Sequence, residues 1–293
     1  MILTKNFYPL VKFFESFSFF IKSLVSIFTA AKTYPVIMYK ISAVIITMNE
    51  EQLIEQCLHS LDDVADEIIV VDSFSTDSTE EVCKKFNVKF VKHEFKGFMD
   101  QKNFAVSLAS HPYILSLDAD EALSEELQKS LLEVKNNLKF DGYKFNRLSN
   151  YCGQWIRHSA WYPDRQLRLF KAANGAWGEI NVHETFIMNH DSKIGKINGD
   201  LLHWPCTSEQ DLTEKIEKYS DIAAHEYYNE GKRVWFLTPA LHMIWRFFQT
   251  YFIRLGFLDG RKGYVICKTG AYSSYLKYAK LRKLVRKEKK SSS

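Results

Sequence analysis

Between residues 41 and 117, four short apolar, mostly β-branched runs alternate with stretches of helical periodicity, and this restricts the fold more than any other feature of the chain. The run 41–46 precedes Leu53, Ile54, Cys57, Leu58 and Leu61, which recur at the spacing of one helix face. The run 67–71 leads to a helix expected over 78–86, with Thr76 or Asp77 as its cap and Glu80 and Glu81 in its first turn. A third strand is expected over 88–91, a helix over 101–109 and a fourth strand over 113–117. Strands that alternate with helices build a parallel, doubly wound sheet with right-handed crossovers.

Polar residues gather where three of these strands end: Thr47, Asn49 and Glu50; Asp72, Ser73 and Asp77; Asp118 and Asp120. Ligands of open α/β sheets bind at the carboxyl ends of the strands, so the three groups should meet in one crevice. Asp118 and Asp120 are the most telling. Two carboxylates one residue apart can hold a hard divalent cation such as Mn²⁺ or Mg²⁺, which neutralises a diphosphate. An isolated Asp-x-Asp is usually a solvated turn; the strand that precedes this one argues for a site.

Three blocks follow one another along the chain: Ile45-Ile-Thr-Met-Asn-Glu-Glu51, Ile69-Val-Val-Asp-Ser-Phe-Ser-Thr-Asp-Ser-Thr79 and Leu115-Ser-Leu-Asp-Ala-Asp-Glu121. Together they resemble the nucleotide-sugar-binding half of family 2 glycosyltransferases, which are inverting enzymes of the GT-A fold. Residues 151–170, Val182-His-Glu184, Gly256-Phe-Leu-Asp-Gly260 and Tyr275-Leu-Lys-Tyr278 resemble the bacterial subgroup of lipopolysaccharide core β-1,4-glucosyltransferases. The resemblance spans 38–285. It implies a Rossmann-like, mostly parallel sheet flanked by helices over 38–205, a helical membrane-associating appendage over 206–285 and a basic disordered tail over 286–293. The implied reaction moves a hexose, glucose in that subgroup, from a UDP-sugar to a lipopolysaccharide core or other lipid-linked acceptor. The implied place is the cytoplasmic face of a bacterial inner membrane, peripherally bound.

The resemblance also suggests roles. Asp118 and Asp120 would serve the metal, with Asp120 the direct ligand, and His183 would either complete the metal site or hold the acceptor. Thr47, Glu50 and Asp72 match positions that contact the nucleoside, Asp72 as acceptor from a uracil N–H. Lys102 is either a phosphate or uracil contact or a solvated helix lysine. The base that takes the proton of the acceptor hydroxyl is expected at Glu184, with Asp164 and Glu179 in reserve. Arg165 and Arg168 either clamp a phosphate of donor or acceptor or make structural ion pairs. Trp155, Trp161, Tyr162 and Trp177 either stack on sugar rings or fill the core, with Trp161 and Tyr162 expected at the acceptor cleft.

Charge is uneven. Residues 277–293 carry eight Lys or Arg against one Glu and residues 1–40 five Lys against one Glu, so a net charge of +4 leaves the middle acidic. The basic end, beside the aromatic stretch 234–258, suits an anionic membrane surface rather than nucleic acid. Arg246, Arg254 and Pro239 interrupt that stretch, so no spanning helix is expected there. Residues 1–37 read as an apolar extension, either an interfacial anchor or sequence upstream of a start at Met38. Five scattered cysteines without a Cys-x-x-Cys argue against a disulfide framework or zinc site. Two rival readings remain. A phosphoryl-transfer hydrolase with Asp118 as nucleophile would carry its motif on the first strand rather than the fourth. A membrane-associated, non-catalytic protein of the same fold would have no need of carboxylates at 118, 120 and 184.

Overall fold

The computed structural model describes residues 39–180, 183–206 and 208–291; the apolar segment 1–37 and Met38 lie outside them. The alternation in the sequence becomes β1 (Ile41–Thr47), α1 (Ile54–His59), β2 (Glu67–Asp72), α2 (Thr79–Cys83), β3 (Lys89–Lys92), α3 (Phe98–Ser107) and β4 (Tyr113–Asp118). Pairings β1–β2, β2–β3 and β1–β4 are parallel. Within β1, Ile41, Ala43 and Ile45 point into one core, with Leu58, Leu115 and Leu131. Val44 and Ile46 point into the other, with Ala105, Ile114 and Phe170. Helices cover both faces, which is why the run is buried throughout, with no alternating polar face. α2 is one short helix whose N-cap is Ser78 rather than Thr76 or Asp77; Asp77, one residue before it, accepts from Thr79 N at 3.0 Å.

The chain continues through β5 (Glu121–Leu123), α4 (Glu125–Lys135), β6 (Gly142–Tyr151), β7 (Gln154–Trp155), β8 (Asp164–Lys171), β9 (Gly175–Ile180), β10 (His183–Met188) and β11 (Ile194–Cys206). The sheet order is β3-β2-β1-β4-β8-β6-β11-β5, with β7 on β6. β8 runs antiparallel to both β4 and β6, and β5 antiparallel to β11. The sheet is therefore mixed: its first four strands are parallel to one another, and β6 and β11 form a further parallel pair. β2 lies on one side of β1 and β4 on the other, so a crevice opens between the carboxyl ends of β1 and β4.

Two irregularities in the strands aim side chains. In β8, Leu167 and Leu169 face consecutive residues of β6, so Arg168 is the extra residue of a β-bulge. In β11 the register shifts between Lys196 and Asp200. Gly199 sits in that shift at φ +96, and a Cβ there would lie 2.4 Å from the Leu127 backbone nitrogen.

Three helices follow β11: α5 (Glu209–Asn229), α6 (Thr238–Phe248) and α7 (Gly260–Ser291). A third core cluster joins them to the sheet, with Tyr151, Ile156 and Cys206 packed against Ile266, Leu212 and Val265. Asp259, nearly buried just before α7, adds a polar tie: it accepts from His158 N at 2.9 Å and Arg157 N at 3.2 Å. α7 stays helical through 286–291, the start of the basic stretch expected to be a disordered tail.

Candidate active site

The loops after β1 and β2 are laced together. Asn49 takes a left-handed conformation, φ +57, which asparagine tolerates, and its Oδ1 accepts from Thr76 N at 2.8 Å. Asn49 N donates to Ser75 Oγ at 2.8 Å, and Glu50 N donates to Thr79 Oγ1 at 2.9 Å. Asp72 is fully buried and takes both the backbone N–H and the hydroxyl of Ser75, which shapes the turn after β2. Thr47 is buried too, and its Oγ1 has no hydrogen-bond partner among the described residues. A buried hydroxyl left without a partner is what a binding edge leaves for its ligand.

Beneath β4 runs a chain of alternating charges. Lys102 Nζ lies 2.9 Å from Asp118 Oδ1 and Arg168 Nη2 lies 2.8 Å from Asp118 Oδ2. The same Arg168 nitrogen is 2.6 Å from Glu121 Oε1, which is 3.2 Å from Arg147 Nη1. Arg147 Nη2 ends the chain on Asp164 Oδ2 at 2.7 Å. Burial alone would raise the Asp118 carboxyl, but the Lys102 ammonium and the Arg168 guanidinium outweigh it and hold Asp118 well below the usual carboxylate range. Lys102 is not the solvated lysine of the plain reading: it is buried, with its ammonium 4.5 Å from the centre of the Trp177 ring. Arg168 is likewise buried in ion pairs, whereas Arg165 is exposed on the same strand. Asp164 is occupied by Arg147 and by Gln166 Nε2, the latter at 2.8 Å.

Asp120 is set apart from that chain. Its partner is His203 on β11, whose Nε2 lies 3.4 Å from Asp120 Oδ2, while His203 Nδ1 is 3.0 Å from Ser149 Oγ. The side chain of His183, expected beside the metal, lies outside the described residues; the histidine that stands at Asp120 is His203. Nothing in the local pattern marked it, because β11 is brought here by pairing with β5, His203 opposite Glu121. Burial, then the Asp120 charge, pushes the Glu50 carboxyl up to about 7, partly opposed by Lys215 of α5. The Asp120 carboxylate keeps about a quarter of its surface exposed, at 26 %. With the imidazole it forms a two-donor set, and among the described residues no group of three His, Cys, Asp or Glu is placed to hold a metal. Such a set fits a hard cation that takes its remaining ligands from phosphate oxygens and water.

Glu184 is half-buried on β10, opposite Glu179 of β9. Strand alternation puts it on the same face as Phe186, whose ring stacks on Phe170 at 3.5 Å. Cross-strand from Phe186 is Trp177, the ring over which Lys102 sits. Glu184 therefore shares a face of the hairpin with the aromatic cover of the Asp118 ion pairs. The aromatic residues expected at one acceptor cleft are divided. Trp155 meets Trp204 edge-on at 5.2 Å and lines a cleft of about 470 Å³ with Asp200 and Arg157. Tyr162 donates to Asp200 at 2.9 Å. Trp161, its neighbour, turns the other way and lines a cavity among the C-terminal helices.

Residues 42–195 match the family described as Glycosyl transferase family 2. An uncharacterized glycosyltransferase of Rickettsia typhi is 33 % identical over 257 residues, 84 % of this chain and 88 % of that protein. The lipopolysaccharide core biosynthesis glycosyltransferase LpsC of Rhizobium meliloti is 29 % identical over 82 % of this chain and 91 % of its own. Among solved structures, S. aureus TarS 1–349 in complex with UDP-GlcNAc covers 86 % of this chain and 92 % of that one at 14 % identity, with a TM-score of 0.45. The chain belongs to glycosyl transferase family 2 and is a glycosyltransferase.

Proposed function

We propose that this glycosyltransferase moves a hexose, with glucose the first candidate, from a UDP-sugar to a lipid-linked acceptor of the lipopolysaccharide core type, with inversion at the anomeric carbon. The observation that carries the reading is the meeting of Asp118, Asp120, Glu50 and Thr47 at the crevice between β1 and β4, where an α/β sheet binds its ligand. Asp120 and His203 would hold Mn²⁺ or Mg²⁺, which when bound offsets the charge of the leaving diphosphate. Asp118, fixed by Lys102 and Arg168, presents a permanently ionised carboxylate toward the ribose and phosphate side. Thr47 and the turn built on Asp72 receive the base. Glu184 accepts the proton of the attacking acceptor hydroxyl as the new glycosidic bond forms on the face opposite the leaving group.

The C-terminal helices would seat the enzyme on the cytoplasmic face of a bacterial inner membrane. No helix among the described residues is long and apolar enough to cross one. α6 instead turns Leu241, Ile244, Trp245 and Phe248 to solvent, and Phe252, Ile253 and Leu258 extend the exposed row. Arg282, Lys283, Arg286 and Lys287 of α7 line a cleft beside it with Phe236. An aromatic row flanked by cations matches an anionic lipid interface. The test is UDP release from UDP-glucose, UDP-galactose and UDP-GlcNAc, measured with and without a rough lipopolysaccharide acceptor on phosphatidylglycerol vesicles. Acceptor-stimulated release with one UDP-sugar supports the reading; release that no lipid acceptor stimulates, with any donor, counts against it.

A further inference from the structure

Between α5, α6 and α7 lie two adjoining cavities of about 610 and 420 Å³ that share Arg246, Ser273, Ser274 and Lys277 in their walls. His242 lines the larger one, and neither cavity has an Asp or Glu in its lining. Arg246 and Lys277 are half-buried, and among the described residues neither forms an ion pair with a carboxylate: Lys277 Nζ lies 3.3 Å from the Tyr227 hydroxyl and 4.7 Å from the centre of the Tyr278 ring. Two cations partly withdrawn from water, with no ion-pair partner among the described residues, make a pocket of positive potential.

A second feature keeps the cavity open. Gly270 lies well inside α7, where glycine weakens a helix, and lines the larger cavity. A Cβ added there would meet no atom within 4 Å. Packing therefore does not demand glycine at this position; its effect is to keep the cavity wall open. The cavity also adjoins the rest of the site. Trp161 lines it from the sheet side, and Leu212 and Ile216 from α5. Lys215, between them in sequence, is the lysine whose charge reaches Glu50. The same helix thus lines the cavity and carries the lysine that acts on Glu50. Trp245, exposed at the start of the aromatic row, lines the mouth.

We propose that this cavity binds a phosphate group of the lipid acceptor, with Arg246 and Lys277 as its counter-ions and Ser273 as a hydroxyl donor. The proposal rests on the lipid-acceptor reading above and adds a chemical requirement to it: the acceptor carries a phosphomonoester close to its lipid end. Two sources of phosphate, a lipid and the free ion, are separated by a soluble probe. Dihexanoyl phosphatidic acid, below its micelle concentration, is titrated calorimetrically into the full chain, with dihexanoyl phosphatidylcholine and inorganic phosphate as comparisons. The expected result is binding of phosphatidic acid alone, weakened about tenfold or more by Arg246→Gln and by Lys277→Gln, each of which removes a charged hydrogen bond. Gly270→Leu fills the wall and should abolish binding while leaving the thermal midpoint equal or higher. UDP binding, read in parallel, stays intact in all three variants. Undiminished phosphatidic acid binding in the variants overturns the proposal, as does no binding by wild-type protein that still binds UDP. Equal binding of inorganic phosphate overturns the lipid assignment. Absence of UDP binding by the wild type would instead tell against the UDP-sugar reading beneath it.

Discussion

The Arg168 guanidinium lies 2.8 Å from the Asp118 carboxylate, and it is a β-bulge in β8 that carries it there. The same nitrogen also serves Glu121, which is fully buried at the start of β5. One arginine thus fixes both ends of the turn that displays Asp120 between them. Asp118 is the ionised post of this turn.

Removing that arginine leaves two inward-facing carboxylates short of a counter-charge. Arg168→Ala should cost about 3–5 kcal/mol, the range for breaking a buried ion pair. Urea unfolding followed by circular dichroism measures it. A loss within the range of an exposed pair, about 1 kcal/mol or less, would refute the arrangement.

Glu184 and Asp164 separate by the kind of damage their loss causes. Glu184→Gln should lower kcat by about 10²–10⁴ with donor KM unchanged, as for a general base. Asp164→Asn breaks its pairing with Arg147 and should appear as lost stability first. The kcat of the two variants, set beside their unfolding midpoints, checks the assignment.

Glu50 makes stability depend on pH in an unusual direction. Its carboxyl keeps a proton up to about 7 in the folded chain, against an ordinary value of 4.5. Between those values the folded state binds more protons than the unfolded one, so this contribution to stability falls as pH rises through the window. Glu50→Gln removes the dependence. Its urea midpoint relative to wild type should be higher at about pH 8 than at about pH 5. No change in that difference would show that Glu50 is not shifted.

The pairing of Ser149 with His203 predicts an indirect effect on the metal. Ser149→Ala frees the imidazole to rotate, and the Mn²⁺ concentration that half-saturates UDP binding should rise about 10- to 100-fold. His203→Ala should raise it at least as far. Unchanged half-saturation in both variants would remove His203 from the site.

The parallel half of the sheet and its acidic ends were legible because their causes are local. β1 and β4 are buried along nearly their whole length, being covered on both faces, and Asp118 and Asp120 stand at the end of a strand. His203, Arg147 and Glu121 were not legible, because pairings between strands distant in sequence assemble them. Trp161 and Tyr162 show the limit within a single motif. They are adjacent in the chain, yet Tyr162 reaches Asp200 and Trp161 faces the helices. A sequence shows that aromatic residues are close, but not that they turn to different neighbours.

The most direct test is calorimetric titration of UDP with and without Mn²⁺, with GDP and CMP as comparisons, on the wild type and on Asp120→Ala. The account predicts that UDP binds in preference to the others, that Mn²⁺ strengthens it, and that Asp120→Ala abolishes the metal effect with the far-ultraviolet spectrum unchanged. Binding indifferent to Mn²⁺, or undiminished in Asp120→Ala, would contradict a cation site at Asp120. A folded wild type that binds no nucleotide would contradict the donor site altogether.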